Sequence, residues 1–144
     1  MNLLIDFQEC LKKGLLRKTT PSKDQALLSL EKAEIALDDA KANLEEERYD
    51  SCTLIAYSAI LNAARAILFN DGYREKSHMC TVRYLEAKYL QRLGMETIKL
   101  FDAYRETRHE VQYSPAFRAD KKQAESIVKF AENFLEQAEE VIKR

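Results

Sequence analysis

Tyr49–Asn70 reads YDSCTLIAYSAILNAARAILFN, and no other long stretch of this 144-residue chain stays apolar on more than one face. Cys52, Ile55, Ala56, Ala59, Ala63, Ala66 and Ile67 recur at helical spacing, and Leu54, Leu61 and Leu68 mark a second stripe about 100° round the cylinder. A helix with two apolar stripes is contacted from two sides. The small residues Ser58, Ala59, Ala63, Ala64 and Ala66 let neighbouring helices approach closely. Asp50, Asn62 and Arg65 interrupt the run, so it lacks the roughly 18 uninterrupted apolar residues of a membrane span. It reads as the core helix of a soluble domain.

Working outward toward the N-terminus, Glu45, Glu46, Glu47 and Arg48 supply a polar turn too short for anything but an antiparallel neighbour. That neighbour carries Ala26, Leu30, Ala33, Leu37, Ala40 and Leu44 at alternating spacings of four and three, capped by Thr20 or Ser22, with Pro21 tolerated in its first turn. Residues 2–13 place Leu3, Leu4, Phe7 and Leu11 on one face of a short amphipathic helix that Gly14 ends. Toward the C-terminus, Asn70, Asp71 and Gly72 stop the core helix, and Ser77 is the N-cap candidate for a fourth helix bearing Val82, Leu85, Tyr89 and Leu93. Gly94 breaks the chain. A fifth helix from Met95 carries Ile98, Phe101, Arg105 and Arg108 on one side and ends before Pro115. The last runs from about Ala119 to Lys143, with Ile127, Ala131, Phe134, Ala138 and Val141 at heptad-like spacing. The expected fold is all-α: one domain over residues 1–144, an antiparallel up-and-down bundle of four long helices plus one or two short ones. Its expected core contains Leu37, Ile55, Ala59, Ala63, Ile67, Phe101, Ile127 and Phe134.

Composition narrows the chemistry. Twenty-three Lys and Arg against 24 Asp and Glu leave a net charge of -1, so no global basic field exists and any nucleic-acid contact has to be local. Cys10, Cys52 and Cys80 form no CxxC pair and no cluster with a histidine, which predicts buried or incidental thiols of a reducing compartment rather than a disulfide framework or a zinc site. The N-terminal LLIDFQECLKK has neither the shape of a signal peptide nor that of an anchor, so a cytoplasmic protein without membrane contact is expected. Neither of the two histidines has a partner at metal-ligand spacing, so no metal or cofactor is expected.

The residues that can carry chemistry gather in YRETRHEVQY, Tyr104–Tyr113. On a helix Arg105 and His109 are neighbours on one face, and Tyr104 and Arg108 are neighbours on the adjoining one. Arg105 also continues the apolar stripe of Ile98 and Phe101, where a cation is costly unless it meets an anion. That anion is either an internal carboxylate, with Asp102, Glu106 and Glu110 at hand, or the phosphate of a ligand. In the second case His109 is a candidate general acid or base. His78 reads as a first-turn residue of the fourth helix, packing or hydrogen-bonding against the core helix. Spacing alone leaves both readings open.

The ordered set of an A-x3-L stripe, YDSCTLIAYSAILNAARAILFNDGYREKSH, then RxxRHxxxY before a final long helix, resembles the HEPN domain family, in particular its small stand-alone, nucleotidyltransferase-associated members. The resemblance covers about Pro21 to Lys143, and its most specific part is AYSAILNAARAIL followed by a glycine loop and Lys76-Ser77-His78. It implies an up-and-down helical bundle that often dimerises, that is frequently encoded beside a small nucleotidyltransferase partner as in a toxin–antitoxin pair, and that in many members cleaves RNA or binds nucleotide. The aromatic residues Phe101, Tyr104, Tyr113 and Phe117 around the arginines suit such a dimer interface. Active members carry an arginine, four to six intervening residues, a histidine, and commonly a tyrosine two further on. Here only three residues separate Arg105 from His109, and Val111 stands two before Tyr113. Arg108 followed five on by Tyr113 is similar to the subgroup in which the catalytic histidine is replaced. The leading expectation is therefore a binding and interaction module with Arg105, Arg108, Tyr104 and Tyr113 as ligand contacts. A metal-independent ribonuclease using Arg105 and His109 is the alternative, and a ligand-free structural bundle the second.

Overall fold

The computed structural model describes residues 5–143; the expected contribution of Leu3 and Leu4 lies outside them. The element order is α1 (Phe7–Lys12), β1 (Leu16–Lys18), α2 (Lys23–Glu45), α3 (Tyr49–Asp71), β2 (Tyr73–Glu75), α4 (His78–Leu93), α5 (Met95–Tyr113) and α6 (Lys121–Lys143). The four long helices are α2, α3, α5 and α6, with α4 and α1 shorter, as the periodicity predicts. Ser22 caps α2 by accepting from the Gln25 amide, so Pro21 stands before the cap rather than in the first turn. Ser77 caps α4, and Asp120 and Gln123 cap α6 reciprocally, each side chain accepting from the other's backbone N–H.

α3 is the shared partner: α2, α6, α5, α4 and β2 all pack against it. Its best window has a mean hydropathy of 1.6, enough by composition for a membrane span, yet 67% of that window is buried in the bundle. Burial of Ala56, Ala59, Ala63 and Ala66 leaves essentially no side-chain surface open, which is how neighbours come this close. Asp50, one of the residues that interrupts the apolar run, accepts the Ala119 amide at 2.7 Å and ties the start of α6 to the start of α3. Of the expected core residues, Leu37, Ala59, Ala63, Ile67, Phe101, Ile127 and Phe134 are buried, whereas Ile55 is only half-buried. The reason is a stripe that no helix covers: Ser51, Ile55, Ser58, Asn62, Arg65 and Phe69, spaced four and three apart, remain exposed or half-exposed along α3.

Two features depart from the sequence reading. The first is an antiparallel ribbon pairing Leu16 with Glu75, Arg17 with Arg74 and Lys18 with Tyr73. It fastens the segment before α2 to the α3–α4 connection, helped by Lys76 N donating to Leu15 O and Thr19 N to Gly72 O. The second corrects the expectation for the cysteines: Cys10 and Cys80, both fully buried, form a disulfide that joins α1 to α4 across 70 residues of sequence. Cys52 alone stays a thiol, buried against the core. Gly72 ends α3 in the left-handed region at φ 88°, the position at which a helix most readily takes glycine.

Candidate functional site

The site is assembled from three elements. Tyr57, on α3, has its ring buried and edge-on to Phe101 of α5, which fixes the hydroxyl at the margin of the core. His78 is the first residue of α4, and the Ser77 cap sets where that helix begins. The Tyr57 hydroxyl lies 3.3 Å from His78 Nδ1, and Arg108 of α5 places its guanidinium over the Tyr57 ring at 5.8 Å. Arg108 is half-buried, yet no carboxylate lies within 4.0 Å of it among the described residues. Arg105, one turn back, is held by Asp102 at 2.8 Å, with Glu106 farther off at 3.8 Å.

The electrostatics place a third arginine in the group. Burial lowers the pKa of His78 first; Arg108 and then Arg65 push it down further, Glu75 opposes them, and Arg105 adds a smaller lowering. The imidazole is therefore neutral near pH 7. Burial pushes the Tyr57 phenol up to about 12 against the opposing pull of Arg105, Arg108 and Arg65, so it stays protonated and can donate. Arg65, two turns along α3 from Tyr57, is fixed by Glu75 at 2.7 Å; the Glu75 side chain is 5% exposed and Arg65 35%. The ribbon is what carries Glu75 to that position.

The sequence-predicted residues divide. Arg105 and Arg108 do converge, on Tyr57 and His78. His109 instead is exposed and lies against the exposed Tyr113, the two rings 4.7 Å apart and tilted by 49°. Tyr104 turns toward α6, its ring 5.2 Å from Phe130, where it lines a separate cleft with Thr53, Thr107 and Ile127. Burial raises its pKa as well. The members that sequence reasoning missed are Tyr57, Arg65, Glu75 and, as a site residue, His78. Tyr57 and Arg65 are eight residues apart on one helix and thus share a face, a signal available in the sequence; nothing local joins that face to α5. Among the described residues no group of three or more His, Cys, Asp or Glu side chains lies together to hold a metal.

Chemically, this face offers guanidinium groups of which one has no carboxylate within 4.0 Å among the described residues, a phenol O–H and a neutral imidazole. Such a set recognises an oxyanion. The HEPN domain profile matches residues 26–141, a span that contains every member of the site and leaves out α1 and β1. A UPF0332 protein of Archaeoglobus fulgidus is 32% identical over 124 residues, which cover 84% of this chain and 98% of that protein.

Proposed function

Proceeding from the fact that this chain belongs to the HEPN domain family, we propose that it is a binding and interaction module which holds a phosphate of RNA or nucleotide on the Tyr57–His78–Arg105–Arg108 face. The observation that carries this reading is Arg108. A half-buried cation with no carboxylate within 4.0 Å among the described residues is costly unless an anion arrives to meet it. The Tyr57 ring offsets part of that cost and holds the guanidinium in place. Arg105, already oriented by Asp102, offers its remaining N–H groups beside it. The protonated phenol and neutral imidazole add hydrogen bonds without adding charge. In this reading the protein acts as a homodimer, and the family resemblance supplies a small nucleotidyltransferase as its partner.

One observation favours a second reading, RNA cleavage: His78 is held neutral beside an arginine, the state a general base requires. In that reaction the imidazole takes the proton of the ribose 2′-hydroxyl and the freed oxygen attacks phosphorus while Arg108 stabilises the charge that develops; the bond from phosphorus to the 5′-oxygen then breaks, that oxygen takes the proton back from the imidazolium, and the products are a 2′,3′-cyclic phosphate and a 5′-hydroxyl.

Calorimetry with a short single-stranded RNA tests the binding. Arg105→Ala and Arg108→Ala should each weaken it by about 1.5–3 kcal/mol with the helical content unchanged. Equal affinity in wild type and variants removes the proposal. Cleavage assays on His78→Ala and His109→Ala separate the two readings, since loss of a general base lowers a rate by about 10²–10⁴, whereas a binding module has no rate to lose.

A further inference from the structure

A second cationic site lies beside the first. A cleft of about 320 Å³ opens between α2, α3 and β2, lined by Lys32, Asn62, Arg65, Phe69, Arg74 and Glu75. Three cations face one carboxylate in a chain whose net charge is -1. That carboxylate, Glu75, is engaged by Arg65 at 2.7 Å, so Lys32 and Arg74 are the cations left over. Both are exposed, and neither has a carboxylate within 4.0 Å among the described residues. The ribbon register adds an independent strain on Arg74: Arg17 stands directly opposite it, and like charges in that relation destabilise a strand pair unless an anion sits between or beside them. The floor is firm, because Ser29 Oγ donates to Asn62 O at 2.7 Å and locks α2 to α3. The cleft is also the end of the uncovered α3 stripe, where Arg65 and the half-buried ring of Phe69 come to the surface.

We infer that this cleft binds a small phosphomonoester of sugar-phosphate or mononucleotide size. Lys32 and Arg74 meet the dianionic phosphate, Asn62, whose amide N–H groups donate to Ser58, offers its carboxamide oxygen to a sugar hydroxyl, and Phe69 presents an apolar face to the rest. The charge excludes amines and metal cations. The volume lies near the lower end of the roughly 300–1,000 Å³ range of small-molecule sites, which suits a compact ligand. This site stands apart from the Tyr57–His78 face, with which it shares only Arg65 and Glu75, and it needs neither Arg105 nor Arg108.

The experiment is calorimetry with inorganic phosphate, ribose 5-phosphate and AMP on wild type, Lys32→Ala, Arg74→Ala and Arg108→Ala. Arg65 is left intact, because removing it strands a buried carboxylate. A binding event that persists in Arg108→Ala, weakens at least tenfold in both Lys32→Ala and Arg74→Ala, and returns with Lys32→Arg supports the site. Tighter binding of ribose 5-phosphate than of phosphate locates contacts to the sugar, and a further gain with AMP locates the base against Phe69. Absence of any event in the wild type overturns the inference. So does an event lost in Arg108→Ala but kept in the two cleft variants, an outcome that leaves the Tyr57–His78 reading standing.

Discussion

His78 is the side chain whose state depends most on its neighbours. Its pKa in the folded protein lies below the ordinary 6.5, through burial first and then through Arg108 and Arg65. The unfolded chain therefore binds more protons than the folded one at mildly acidic pH. This contribution to stability is complete above about 6.5 and is lost as pH falls through the depressed value. Melting midpoints recorded between about pH 8 and pH 5 should fall more in wild type than in His78→Gln; parallel curves would show that the imidazole is not buried among cations. Arg108→Ala should move the His78 pKa upward, toward the ordinary value, as followed by its ring proton shifts. An unmoved pKa would separate the two side chains. At this scale the arginines were legible, because Arg105 and Arg108 lie on one helix at three-residue spacing and one of them interrupts an apolar stripe. The place of His78, in the first turn of α4 and hydrogen-bonded against α3, was legible too; that its partner there is Tyr57 and that the pair meets Arg108 was not, since this depends on how α4 and α5 sit against α3, a tertiary fact with no local signature.

Among the elements, α3 and its C-terminal stop were readable from spacing and from Gly72. Gly72 meets two demands at once. Its φ of 88° suits glycine, and a Cβ there would lie 2.8 Å from Thr19 O and 2.9 Å from the Pro21 ring. Gly72→Ala should therefore cost about 1–3 kcal/mol through backbone strain alone, and more through the contact, read as a lower urea midpoint. An unchanged midpoint would mean the turn can reorganise freely. Ala63, fully buried on α3, should not tolerate a leucine: overpacking costs about 1–3 kcal/mol, and a variant that melts with wild type would contradict the close approach of its neighbours. The ribbon escaped the sequence reading for a physical reason. Each strand has three residues, too few for alternation to register, and β2 sits where glycine and polar residues signal only a turn.

For the molecule as a whole, the bundle was legible and the disulfide was not. Cys10 and Cys80 are 70 residues apart with no paired spacing, and only the placement of α1 on α4 brings their Cα atoms to 5.8 Å. Phe7 of α1 also packs on Tyr73 and Tyr84, with Lys88 over its ring, so the bond joins two elements that also meet through side-chain packing. Cys10→Ser with Cys80→Ser should lower stability by about 2–5 kcal/mol, mainly by freeing the unfolded chain; a non-reducing denaturation curve identical to wild type would show that the bond contributes nothing. The proposed homodimer is checked by light scattering at tens of micromolar, where a monomer mass rejects it. The claim on which the functional account turns is that phosphate settles between Arg108, Tyr57 and His78. Histidine NMR with a short single-stranded RNA addresses it directly. Binding should shift the His78 ring signals and raise the His78 pKa, because an anion now offsets the arginines that hold it down, while His109, exposed and in contact with Tyr113, changes less. RNA binding that leaves His78 untouched, in shift and in pKa, would contradict the account.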